Sequence, residues 1–356
     1  MPAYFLKHHQ SFFISQTVLA RFTIHFLKLF ENHIGIVLVN LFIVNEIRPL
    51  SDIMTYSTSI NITHNSQANT AVLLGLLSVF AFSLTLPFSK IAVQVLTGLE
   101  VGLLRSLISG VMAMLILLIK HCALPNRQQI IRLYLGSLGI IYGFPIFSSL
   151  AMKTVPVSHG AIVLAILPLS TAMFGVRLSK KVMPLAFWIW SIVGALLVIG
   201  YVVMTKDLQS LVLGDIYLAL AVILAGFGYA QSGQLSQSMP GWQVICWMLV
   251  LNFPIILGLS LAFVDFSHIN MMKASHIGAL LFLASVSGLF GFFSWNKALA
   301  MGGIATISQL QLLQTFLTYG VAVLFMGEQW NWLSLIICLL VVATVYQTQK
   351  TARQVS

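Results

Sequence analysis

The sequence predicts an all-α integral membrane protein with ten transmembrane helices arranged as two inverted five-helix repeats. Three observations carry the prediction. Ten apolar runs follow one another between Thr70 and Tyr346 with little between them. The chain is 59% hydrophobic and 7% charged, whereas a soluble domain carries roughly 25% charged residues. A soluble fold so poor in charge could not cover its surface with polar groups. Finally, the runs divide at one polar link into two sets of five.

The runs begin near residues 70, 101, 133, 158, 185, 214, 242, 277, 304 and 331. Each is long enough for the roughly 20 helical residues that a hydrocarbon core requires. Stretches such as 72–77 and 335–342 are apolar all round, as a lipid-embedded helix must be, whereas a barrel strand alternates apolar and polar over about 10 residues. Short connections make neighbouring helices antiparallel, and no stretch within 70–346 can hide a soluble domain. Small residues four apart, Gly102 and Ser106, Gly139 and Gly143, Ser287 and Gly291, share a helix face and suit close packing in lipid.

Orientation follows from the cations, because Lys and Arg are retained on the cytoplasmic side. With the first run entering from inside, Lys120, Arg127, Arg132, Arg177, Lys180, Lys181, Lys297, Lys350 and Arg353 fall inside, and Lys90, Lys153, Lys206 and Lys273 outside. Both termini are then cytoplasmic, with 349–356 a short tail. The net charge of +10 reads as topology plus contact with the anionic headgroups of a lipid bilayer. No basic cluster interleaved with aromatics exists, so nucleic acid is not an expected partner.

Residues 1–69 stand apart from this pattern. Their one apolar run, 34–44, is interrupted by Asn40 and is too short to span comfortably. Two readings stay open: an amphipathic or re-entrant arm on the membrane, or a true start at Met54. The sharp change in composition favours the second.

The link Thr205-Lys206-Asp207-Leu208-Gln209-Ser210 separates repeats at 70–205 and 206–348. Each has an odd number of spans, so a shared fold forces the second upside down relative to the first, as in many secondary transporters. Lining up the fourth and ninth runs places Ala151 over Ala298, Thr171 over Thr318 and Lys181 over Glu328.

Three motifs resemble the drug/metabolite transporter superfamily, specifically its EamA-type ten-helix members. Phe88-Ser89-Lys90 closes the first helix, and Glu100, Arg105, Ser106 and Gly110 open the second. Ala151-Met152-Lys153-Thr154-Val155-Pro156-Val157-Ser158 leads into a helix with Pro168, and Gly327-Glu328 follows the ninth run. The chain departs from the family at Ala81-Phe82-Ser83, where Trp-Gly is usual. It departs again at Lys180-Lys181, where a Glu is usual, and at Thr315, where a Pro is common. The resemblance implies a membrane transporter whose third, fourth, eighth and ninth helices line a central cavity.

Polar residues inside the runs are the candidate substrate-binding groups. Ser308, Gln311, Thr315 and Thr318 share one face of the ninth helix, with Gln314 and Tyr319 beside them. Unpaired amides are costly in hydrocarbon, so this stripe faces other helices or a water-filled path. Next come Trp295 and Asn296 on the eighth helix, Tyr229 with Gln231 on the sixth, and Tyr142, Ser148 and Ser149 on the third. Arg105 either snorkels from near its helix end or anchors a substrate carboxylate or phosphate. His159 heads the fourth helix, where it caps, meets headgroups or titrates near neutral pH.

The acids beyond residue 69 are Glu100, Asp207, Asp215, Asp265 and Glu328, all near span ends. No carboxylate is placed to bind a lipophilic cation at mid-membrane. Walker, His-Glu-x-x-His and Gly-x-Ser-x-Gly motifs are absent, and Cys122, Cys246 and Cys338 are isolated, so neither an enzyme nor a cofactor or metal site is expected. The expectation is a secondary transporter, acting as an exporter of small metabolites such as amino acids or related neutral, zwitterionic or anionic solutes. It would work by alternating access in a cell membrane of the bacterial inner-membrane kind, with a homodimer left open. The alternative is a non-transporting sensor or structural protein that binds a small ligand in the bundle.

Overall fold

The computed structural model describes residues 60–179, 183–204 and 213–353, and holds no strand among them. In chain order its main helices are α1 (Asn69–Ala92), α2 (Gly98–Ile119), α3 (Arg127–Thr154), α4 (Val157–Leu178) and α5 (Leu185–Met204). They continue as α6 (Leu213–Leu235), α7 (Gly241–Phe263), α8 (Ala274–Gly302), α9 (Gln311–Phe325) and α10 (Trp332–Arg353). Seven of these are long and apolar enough to cross a membrane; α5, α9 and α10 are apolar over shorter stretches. Residues 1–59 of the arm with the start at Met54, the polar link at 205–210, and Lys180 and Lys181 lie outside the described residues; the first helix already begins at Ile60, ten residues before the first apolar run.

Local chemistry sets the helix ends and breaks. Thr97 and Glu100 form a capping box at the start of α2, and Asn126 and Gln129 form another before α3, so the first orphan N–H groups find partners. Within α1 the helix breaks at Leu84. Pro87 has no N–H to offer the Ser83 carbonyl four residues back, and Thr318 Oγ1 on α9 donates to that carbonyl instead at 2.8 Å. The device recurs in α3: Pro145 leaves the Ile141 carbonyl free, and Ser106 Oγ on α2 donates to it at 3.0 Å. Both α3 and α8 widen into π-helical turns, over Leu138–Gly143 and Leu283–Phe290.

The two halves interleave. Helix α1 packs on α8, α6 on α3 and α4, α2 on α7, and α5 on α10. The closest approach is at Gly139, where a Cβ would run into the Leu224 carbonyl oxygen of α6. One cross-bundle tie occurs twice with the halves exchanged. Ser109 Oγ on α2 donates to the Ala284 carbonyl on α8 at 2.6 Å, and Asn252 Nδ2 on α7 donates to Ser137 Oγ on α3 at 2.9 Å. Aligned on their first residues, α2 and α7 bring Ser109 onto Asn252, and α3 and α8 bring Ser137 onto Ala284. Large apolar side chains such as Leu73, Leu118, Leu185 and Leu261 cover the outside of the bundle, the surface that hydrocarbon solvates.

Candidate functional site

At the junction of the two halves, six helices enclose a narrow cavity. Phe82 and Thr85 reach it from α1, Arg105 from α2, Ile140 and Phe144 from α3, Tyr229 from α6, Ser287 and Phe292 from α8, and Gln314 from α9. About 10 Å³ is open to the centre of a water molecule, the room of one water.

Arg105 is the strongest charge in the wall. It sits seven residues into α2, about 10 Å along the helix axis at 1.5 Å per residue, and is only 3% exposed. The snorkelling alternative is thereby removed, since the side chain turns into the bundle. Its Nη2 donates to Ser287 Oγ at 3.2 Å, and that oxygen lies 2.8 Å from Thr85 Oγ1. Its Nη1 is buried without a hydrogen-bond partner among the described residues.

Opposite stands the polar face of α9. The Oε1 of Gln314 is buried without a hydrogen-bond partner among the described residues, and one turn earlier both amide atoms of Gln311 are in the same condition. Thr315 is buried on the same helix, and Ser308 is buried in the turn that precedes it. A ring cluster closes the remaining side. Phe82 lies 5.1 Å from Phe292 and 6.1 Å from Trp295, and Tyr229 lies 5.7 Å and 6.0 Å from the same two rings. The Trp295 Nε1 is also buried without a partner. Four further orphaned atoms, on Ser89, Ser149, Trp247 and Ser260, belong to residues that do not line the cavity.

Of the residues singled out from sequence, Arg105, Tyr229 and Gln314 meet at this cavity, while Trp295 packs edge-on and tilted against its rings and Gln311 stands one turn from Gln314. Others are bound elsewhere. Thr318 serves the Ser83 carbonyl. Asn296 accepts from Ser232 Oγ at 2.6 Å and donates to the Gly241 carbonyl at 2.9 Å. Tyr142 donates to Asn252 Oδ1 at 3.1 Å and lines an apolar groove open to the outside between α3 and α7. Ser148 Oγ turns back to the Pro145 carbonyl at 3.5 Å. Sequence reasoning passed over Phe82, Thr85 and Phe292, and saw Ser287 only as a packing residue. The spacing of Phe82 and Thr85, one turn apart just before Pro87, is the signal that was available.

The described acids gather at one end of the bundle. Glu328, after α9, accepts from the Val157 and Ser158 amides at 2.6 and 2.9 Å, at the start of α4. Lys90 Nζ donates to the Met152 and Val155 carbonyls at 2.7 and 2.9 Å, at the end of α3. His159 Nε2 lies 2.7 Å from Asp215 Oδ1, joining α4 to α6. Glu100 accepts from the Asp265 amide at 2.9 Å and meets His268 Nδ1 at 3.0 Å. Three of these four contacts cross between the halves.

A multi-pass helical bundle with a polar cavity between interleaved halves is the architecture of a membrane transporter. The EamA-like transporter family matches this sequence twice, over residues 69–206 and 212–348. The chain belongs to that family. The Bacillus subtilis (strain 168) protein named uncharacterized transporter YdeK is 36% identical over 283 residues, which cover 78% of this chain and 96% of that protein. A solved crystal structure superposes with a TM-score of 0.54 at 17% identity, covering 78% of this chain and 97% of its own, a likeness of fold.

Proposed function

We propose that this transporter is a secondary carrier, exporting small neutral, zwitterionic or anionic metabolites by alternating access. The observation that carries the reading is the central cavity itself, walled by both halves, where Arg105 Nη1 and Gln314 Oε1 are buried without a partner among the described residues. Amides left unpaired in hydrocarbon cost on the order of 1–3 kcal/mol each, and a passing solute is the partner that would offset that cost. Rocking one half against the other would open the cavity first to one side and then to the other. In this reading the cross-half contacts of Glu328, Glu100 and His159 would tie off one end between strokes, the end expected outside the cell if both termini are cytoplasmic.

The test is flux. Purified protein in liposomes is screened against amino acids and related metabolites, with and without a proton gradient. Saturable uptake of one solute class supports the carrier. Saturable binding with no flux of any solute supports a sensor instead. Gln311→Leu is expected to lower flux while insertion and folding stay intact, and unchanged flux removes Gln311 from the site.

A further inference from the structure

Resting on the carrier reading, we infer that the substrate is a monocarboxylate with an apolar body, and that Arg105 holds its carboxylate. A guanidinium stays protonated under all ordinary conditions, so Arg105 carries a full positive charge into the bundle wherever the solvent is excluded. A charge so placed calls for a counter-charge. The described acids are all engaged away from it: Glu100 with Asp265 and His268, Asp215 with His159, Asp265 at its own helix cap, and Glu328 on the amides that start α4. Ser287 engages Nη2, and Nη1 has no hydrogen-bond partner among the described residues.

The rest of the wall narrows the class. One cation balances one negative charge, so a carboxylate leaves the pair neutral where a phosphate dianion would leave a charge over. Beyond the guanidinium and the Thr85–Ser287 hydroxyl pair the lining is Phe82, Phe144, Tyr229, Phe292 and Ile140, with Gln314 contributing an amide. The cavity now has room for one water, so a solute enters only when rocking of the halves widens it; the surface then solvates a hydrocarbon or aromatic body and one or two hydrogen-bonding groups. It does not suit a polyhydroxylated or multiply charged solute.

A shape-matched series tests this in the wild-type protein. The probes are phenylacetate, its primary amide, the corresponding amine and the corresponding phosphonate, assayed by ligand-induced thermal stabilisation in detergent and by competition for liposome flux. The carboxylate is expected to stabilise the protein, and the amide to bind about tenfold or more weakly, the usual cost of losing a charge-assisted hydrogen bond. Arg105→Gln is expected to erase the difference between acid and amide, and Arg105→Lys to restore it in part. Equal binding of acid, amide and amine overturns the proposal while leaving the carrier reading in place, as does tighter binding of the phosphonate. Binding selective for the carboxylate with no flux of any solute upholds the proposal and removes the carrier. If Arg105→Gln does not fold, the wild-type series and Arg105→Lys decide the matter.

Discussion

Glu328→Ala should destabilise the protein more than a surface substitution would, because of where its carboxylate lies. Both oxygens accept backbone amides of the first turn of α4, Val157 at 2.6 Å and Ser158 at 2.9 Å. Removing the side chain leaves two N–H groups at a helix start without acceptors and takes a negative charge from the positive end of the helix dipole. Loss of a capping side chain costs about 0.5–2 kcal/mol, and loss of the dipole interaction about 0.3–1 kcal/mol. Glu328 is only half-buried, so water recovers part of this, and we expect about 1–2 kcal/mol in all. At roughly 2–4 °C per kcal/mol, the melting temperature in detergent, followed by tryptophan fluorescence, should fall by about 2–8 °C. Glu328→Gln keeps one acceptor and should lose about half as much. Asp265→Asn is the control: it changes an exposed cap on the five-residue helix Phe266–Asn270 and should shift melting little. A melting temperature of Glu328→Ala within a degree of wild type, or a fall no larger than that of Asp265→Asn, would refute the reasoning.

Two further predictions concern other links of the chain. Thr318→Val removes the donor that satisfies the Ser83 carbonyl and should cost about 1–2 kcal/mol of stability; Thr318→Ser, which keeps the hydroxyl, should stay near wild type by the same melting assay. Cys122 reports orientation, because Cys246 and Cys338 are buried and it alone is partly exposed. Burial raises its thiol above the usual range, so the reactive thiolate grows as pH rises and labelling by an impermeant maleimide should quicken from pH 7 to pH 9. With both termini cytoplasmic, inside-out vesicles label and intact cells do not; the reverse pattern inverts the topology.

The spans were legible because a bilayer imposes length and apolarity on each helix separately, and both are properties of a short window of sequence. Membership of a polar wall is not such a property. Thr318 stands on the same face of α9 as Gln311 in the sequence, yet it is spent on a carbonyl that Pro87 sets free in α1; nothing local to either residue announces the other. Arg105 presents the converse. Its position near a helix start made snorkelling the easy outcome, and only the neighbours supplied by α8 show that it turns inward. Glu328 and Lys90, visible from sequence as marks of family resemblance, act by tying off the ends of α4 and α3 at long sequence separation.

The duplication also explains why the site sits where it does. Aligned on their first residues, α2 and α7 place Arg105 opposite Met248; aligned on Thr171 and Thr318, α4 and α9 place Gln311 over Leu164 and Gln314 over Leu167. Where the pairs match, as at Ser109 and Asn252, the bonds are internal and complete. Where they differ, one partner is apolar and the other carries a polar group without a match. A cavity between two like halves needs no polarity for packing, since Met248 and the leucines fill the equivalent places without it. The groups that break the symmetry are therefore the ones whose cost the fold does not explain, and Arg105, Gln311 and Gln314 are the residues at which substrate preference should be sought first.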